Sequence, residues 1–204
     1  MKRSIKISLS IAAIGLIALI ILLLGELNRR AAPPENRLTA DIGGAFSLID
    51  QNGNKRSDAD FAGRPMLIYF GFTYCPDVCP TSLDLMGAAL DILAEKNPDV
   101  FARLQPVFIS VDPARDTPPV LLDYLAYFHP RLVGLTGSEA DIVAVKATYK
   151  IYAARRSDSD ENGNYNVDHS SFFYLMDENN RYLAHFDHAV PAEKLAEKLT
   201  QKLN

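Results

Sequence analysis

The sequence predicts one α/β domain behind an N-terminal membrane segment, and three observations predict it. Ile7 to Leu24 is an unbroken apolar run whose only polar members are Ser8 and Ser10. Met66 to Phe72 is a near-continuous apolar stretch, the pattern of a strand buried on both faces, and Leu104 to Val111 reads as a second central strand. After the first of them, from Thr81 to Lys96, apolar residues recur at three- and four-residue steps, the period of a helix that covers a sheet.

The 204 residues suit one domain of ordinary size plus extras. With 48% hydrophobic and 23% charged residues, wholesale disorder is excluded. The net charge of −4 hides an asymmetry: residues 1–30 carry five bases and one acid, which leaves 16 bases against 24 acids, a net −8, in the rest. A body that acidic, without a basic cluster, is a poor nucleic-acid binder.

As a helix, the 18 residues Ile7–Leu24 would span about 27 Å, near the thickness of a bilayer core. A cleaved signal peptide shares the basic start. Its apolar region, however, runs only ~7–15 residues and ends in a small-residue site that Leu24-Gly25-Glu26-Leu27-Asn28 does not offer. Residues 1–24 are therefore expected to be a cytoplasmic start and a retained transmembrane anchor, with Lys2, Arg3 and Lys6 inside, although Arg29 and Arg30 weaken that bias. The expected location is a bacterial inner membrane, crossed once, with the body in the periplasm. Residues 25–40, stiffened by Pro33-Pro34, read as a tether of at most ~50 Å. It would hold the domain, residues 41–204, close to the bilayer and to membrane-bound partners.

Within the domain, Phe46–Ile49 reads as a strand running into the turn Asp50-Gln51-Asn52-Gly53. Met66–Phe72 is a central strand, and Thr81–Lys96 a helix through Leu83, Met86, Leu90 and Leu93. Leu104–Val111 is a second central strand. Thr117-Pro118-Pro119 opens a helix to about Phe128, with proline tolerated in the first turn. Leu132–Leu135 is a short strand and Ser138–Lys150 a helix. Ile151–Arg155 and Tyr165–Asp168 flank the polar loop Ser157–Asn164, an inserted hairpin. Ser171–Met176 and Arg181–Phe186 pair antiparallel, and Pro191–Leu203 closes the chain as a helix. This is a thioredoxin-like order.

Cys75-Pro76-Asp77-Val78-Cys79-Pro80 lies between the first central strand and the first long helix. A helix N-terminus supplies unpaired N–H groups and a partial positive charge, which stabilise a thiolate. An i,i+4 spacing puts both sulfurs on one face of a helical segment, roughly 6 Å apart at Cα, within reach of a disulfide or a shared metal ion. Thioredoxin-type redox motifs have one residue less between the cysteines. A peroxidase would want Thr three residues before its reactive thiol, where Phe72 and Pro76 stand instead. A metal site needs another ligand. His169 is the candidate, because a thioredoxin-like fold brings its loop over the cysteine turn, where thioredoxins place a proline. Asp168 would orient or recognise rather than ligate. His129 reads as structural, a positive imidazole at a helix end, and the H-x-x-H of His185 and His188 as a solvated turn. Two thiolates and an imidazole suit Cu(I), or Cu(II) with a further weak ligand; zinc accepts the same set. Asp112, Arg115 and Asp116 read as a turn and a cap, with Asp116 or Thr117 capping the next helix.

Tyr69–Pro80 (YFGFTYCPDVCP), Ile109–Pro118 (ISVDPARDTP) and Asp168-His169-Ser170, in this order, resemble the Sco/SenC family. These are membrane-anchored, thioredoxin-like copper proteins that help to assemble the dinuclear copper centre of cytochrome c oxidase. The resemblance covers roughly Asp41 to Leu203. It implies copper, as Cu(I) or Cu(II), held by Cys75, Cys79 and His169. It further implies delivery to subunit II of the oxidase, or reduction of that subunit's cysteine ligands by the Cys75–Cys79 redox pair. Another copper chaperone and a thiol reductase are then expected partners. The chain departs from the family at Asp177-Glu178-Asn179-Asn180, where a proline–glycine turn is usual; Asn tolerates positive φ. The alternative from another class is a thiol–disulfide reductase with incidental metal binding.

Overall fold

The computed structural model describes residues 42–156 and 165–204. The expected anchor 7–24, the tether 25–40 and the loop Ser157–Asn164 lie outside the described residues. Among the described residues, no helix is long and apolar enough to cross a membrane.

Seven strands form the main sheet: β1 (Ser47–Asp50), β2 (Lys55–Ser57), β3 (Met66–Gly71), β4 (Gln105–Ser110), β5 (Val133–Thr136), β8 (Phe172–Met176) and β9 (Tyr182–Asp187). Their order is β2-β1-β5-β4-β3-β8-β9. β6 (Ala153–Arg155) and β7 (Val167–His169) pair separately as a two-stranded ribbon. β3, β4 and β5 run parallel, while β8 is antiparallel to β3. All six positions of β3 and of β4 are buried. That fits the near-continuous apolar sequence of β3, because a strand covered on both faces has no solvent side to make polar; in β4 the two polar residues are hydrogen-bonded, Gln105 to the Pro106 and Arg131 carbonyls and Ser110 to Asp116. The expected thioredoxin-like order is therefore present, with the hairpin as its insertion.

The helix Val78–Lys96 buries Leu83, Met86, Leu90 and Leu93, as their spacing predicts. It begins three residues before the expected Thr81. Pro80 does not block this, since the first-turn N–H groups have no intrahelical partner anyway. Cys79 thus enters the first turn while Cys75 stays in the preceding loop. The helix expected to reach Phe128 runs only from Pro118 to Leu125, and i→i+3 bonds at Tyr127 and Phe128 tighten its end. A short helix, Pro98–Arg103, was not expected; Asn97-Pro98 is its start signal. Asn180 takes φ 57° in the turn between β8 and β9, as the sequence predicts for Asn there.

Candidate metal centre

The two cysteines differ because they meet the helix start differently. Asp77, the residue preceding the helix, makes no side-chain cap. Instead the Cys75 Sγ accepts the backbone N–H of Cys79 at 3.3 Å, so a sulfur takes the place usually held by a capping oxygen. Cys75 is half-buried and Cys79 fully buried. A hydrogen bond from the Cys79 thiol, then contacts with His169 and the backbone N–H groups of Cys79 and Asp77, push the Cys75 thiol down to about 4, against burial. The Cys75 sulfur and then burial push the Cys79 thiol up. The surroundings thus favour the negative charge on Cys75 and the proton on Cys79.

β3 ends directly beneath Cys79. A Cβ on Gly71 would lie 2.9 Å from the Cys79 Sγ and 2.9 Å from Phe108 Cε2, closer than real Cβ contacts come. Only glycine lets the buried sulfur sit this near the strand.

His169 ends β7 and arrives from 90 residues away in sequence. Its Nδ1 is 3.1 Å from the Ser170 carbonyl. A carbonyl only accepts, so Nδ1 carries a proton toward it, and Nε2 is the ring nitrogen turned to the sulfurs. That Nε2 lies 3.4 Å from the Cys79 Sγ. The ring stands edge-on to Phe72 at 5.7 Å and to Tyr69 at 6.3 Å. The ligand atoms of Cys75, Cys79 and His169 all lie within 4.8 Å of one another, the single such group among the described residues. Sulfur and nitrogen bound to one ion at ~2.3 and ~2.1 Å would be roughly 3.6–3.8 Å apart, close to the 3.4 Å found. The donors fit a soft ion.

A sequence profile of SCO1/SenC proteins matches residues 34–204. The chain belongs to the SCO1/SenC family. Protein SenC of Rhodobacter capsulatus is 39% identical over 191 residues, covering 93% of this chain and 84% of the relative. Among solved structures, Bradyrhizobium japonicum ScoI with copper bound matches at 40% identity and TM-score 0.71, over 79% of this chain and 99% of the other. Yeast Sco1 with copper bound matches at 37% identity and TM-score 0.73, over 79% and 88%.

This SCO1/SenC chain keeps its other histidines away from the thiols. His185 shares a hydrogen bond with Tyr182, and His188 sits 3.5 Å from Asp187. His129 requires a correction. Its Nδ1 accepts the Arg131 N–H at 3.2 Å, so that nitrogen carries no proton. Burial lowers its pKa, with Arg131 assisting and Asp91 opposing, and the expected positive imidazole is not what the site favours. Asp168 is exposed, 3.8 Å from Arg156 Nη1, and outside the donor set.

Capping by Asp116 or Thr117 is also overturned. Thr117 precedes the helix without a side-chain cap. Asp116 is fully buried and accepts the Thr73 hydroxyl at 2.6 Å, the Thr73 N–H at 3.1 Å and the Ser110 hydroxyl at 2.6 Å. It ties the cysteine turn to the end of β4. An acid before Thr-Pro looks the same in sequence whether it caps or is buried, so this role was not legible. Burial raises its pKa, against the bonds from Ser110 and Thr73.

Proposed function

We propose that this chain is a membrane-anchored copper protein of cytochrome c oxidase assembly. Cys75, Cys79 and His169 hold one copper ion for delivery to the dinuclear copper centre of subunit II. The periplasmic side of an inner membrane is the proposed location, supported by the basic start and the apolar run Ile7–Leu24. One observation carries the copper reading: two sulfurs and an imidazole nitrogen gathered within 4.8 Å, in a chain 40% identical to a relative solved with copper bound. Copper is cargo here, and a thiolate-rich site of low coordination suits Cu(I).

The residues are prepared for loading to different degrees. Cys75 is biased toward its thiolate form, and His169 turns Nε2 to the sulfurs. Cys79 must give up its proton, so loading releases a proton and is favoured by rising pH. A Cys75–Cys79 disulfide removes both thiolate donors, so thiol redox state gates copper binding.

The unequal cysteines also favour a second reading, reduction of a partner's disulfide. The Cys75 thiolate attacks one partner sulfur, forming a mixed disulfide and expelling the partner's other sulfur as a thiolate. Cys79 then loses its proton and attacks the Cys75 sulfur. The Cys75–Cys79 disulfide forms, the second partner thiol leaves, and two electrons have passed to the partner.

Anaerobic Cu(I) titration of the reduced protein against a competing chelator, beside His169→Ala and Cys75→Ser, separates the two. One equivalent bound tightly, and greatly weakened in both variants, is the outcome expected for copper delivery. Weak binding indifferent to His169 would sink that reading and leave thiol exchange.

A further inference from the structure

The turn after β4 carries a charged pair that neither copper binding nor thiol exchange uses. Asp112 and Arg115 form an ion pair with side chains only 3% and 15% exposed. Buried pairs add little stability compared with apolar side chains of similar size. What the pair does supply is geometry, because a guanidinium is a flat fork with fixed donor directions.

Arg115 Nε donates to one oxygen of Asp112, and its Nη1 donates to the Tyr165 carbonyl at 2.8 Å. The Tyr165 hydroxyl donates to the other Asp112 oxygen at 2.7 Å. The three residues close a ring. The Arg115 guanidinium carbon also lies 3.7 Å from the centre of the Tyr165 ring, 4.7 Å from that of Tyr74 and 5.7 Å from that of Phe72. Tyr74 precedes Cys75 in sequence, and the Phe72 ring packs against His169. Tyr165 stands two residues before β7, the strand that ends in His169.

The ribbon β6–β7 shares no ladder with the seven-stranded sheet. The sheet therefore holds His169 only from its C-terminal side, through β8 three residues further on, and the arm that leads into His169 needs a fastening of its own. We infer that Arg115 is a positioning residue: it clasps the hairpin arm ending in His169 to the turn carrying Cys75, and so sets the separation of the metal donors. The consequence for copper rests on the proposed function above, whereas the clasp belongs to the metal-free fold.

The test has two readings on the reduced full-length protein: amide hydrogen exchange without metal, then Cu(I) competition. In Arg115→Ala, exchange at Val167–His169 and Tyr74–Cys75 rises about tenfold, and Cu(I) affinity falls about tenfold, the scale of one cation–aromatic contact. Core amides of β3 and β4 keep their rates. Arg115→Lys is intermediate, since it retains the charge over the rings but loses the fork. Unchanged exchange and affinity in Arg115→Ala would overturn the clasp, and so would a uniform rise across the whole sheet. If Arg115→Ala does not fold, Tyr165→Phe, which removes one hydroxyl, carries the same comparison. If the wild type holds no Cu(I), the copper reading falls, and the exchange pattern alone decides the clasp.

Discussion

Replacing Gly71 with alanine tests the packing beneath the metal site and the site itself in one change. The new methyl would lie 2.9 Å from the Cys79 Sγ and from Phe108 Cε2, and 3.1 Å from Tyr69 Cε1, where ordinary contact begins at 3.4 Å. Something must therefore yield by about 0.5 Å, a figure set against a tolerance of about 0.2 Å on metal–ligand distances. Phe108 and Tyr69 are fully buried ring atoms in a packed sheet and have little room. The Cys79 sulfur is the end of a short side chain, and rotating it away carries it from His169. Overpacking of this kind costs about 1–3 kcal/mol. For a domain of this size that lowers Tm by about 2–12 °C. Thermal unfolding followed by circular dichroism reads the first effect, and chelator competition for Cu(I) reads the second, expected as at least a tenfold loss. An alanine variant with wild-type Tm and wild-type copper affinity would refute the close approach of Cys79 to β3.

Three further outcomes follow from the same geometry. Burial raises the Asp116 pKa, so the folded state holds a proton that the unfolded chain releases; wild-type stability should fall as pH rises from the unfolded carboxyl value of about 3.9 through the folded one. Asp116→Asn mimics the protonated form and should lack that decline, which urea midpoints from pH 4 to 7 would reveal; parallel curves would contradict it. Iodoacetamide should modify Cys75 at a rate nearly independent of pH above about 5, as expected for a thiol pushed down to about 4, and Cys79→Ala should move the onset of that plateau to higher pH by removing the hydrogen bond from the Cys79 thiol. A rate that climbs tenfold per unit up to pH 8 in the wild type would argue against the capped thiolate. Replacing His185 and His188 together by alanine should leave one Cu(I) equivalent bound at unchanged affinity, because neither stands with the thiols; a loss of affinity would mean the donor set is wrong.

The fold was legible where composition alone decides burial. β3 has apolar residues at nearly every position and can only be a covered strand, and the helix from Val78 shows its buried face in the spacing of Leu83, Met86, Leu90 and Leu93. Element ends were less legible, because Pro80 is compatible both with a helix stop and with a first turn. At the site, Cys75 and Cys79 could be named because the chain has only two cysteines, His169 was a candidate through the expected fold, and the full set came with the family resemblance. The supports could not. Asp116, Arg115 and Tyr165 act through contacts 43 to 50 residues apart in sequence, and nothing local marks a carboxylate as buried or an arginine as stacked.

The 90-residue gap between Cys79 and His169 has a consequence for biogenesis. The third donor reaches the thiols only after β8 has paired with β3, bringing Phe173 opposite Tyr69. That closure spans most of the domain, and loop-closure entropy makes such long-range pairing a late event in folding. A chain that has not finished folding offers a dithiol but not the full set, so tight capture of the ion is reserved for the finished fold. Once loaded, the ion reports on tertiary structure and stabilises it by mass action. Copper and completion of the sheet thus become mutually reinforcing, and an incompletely folded molecule is poorly equipped to withhold metal from the assembly line it serves.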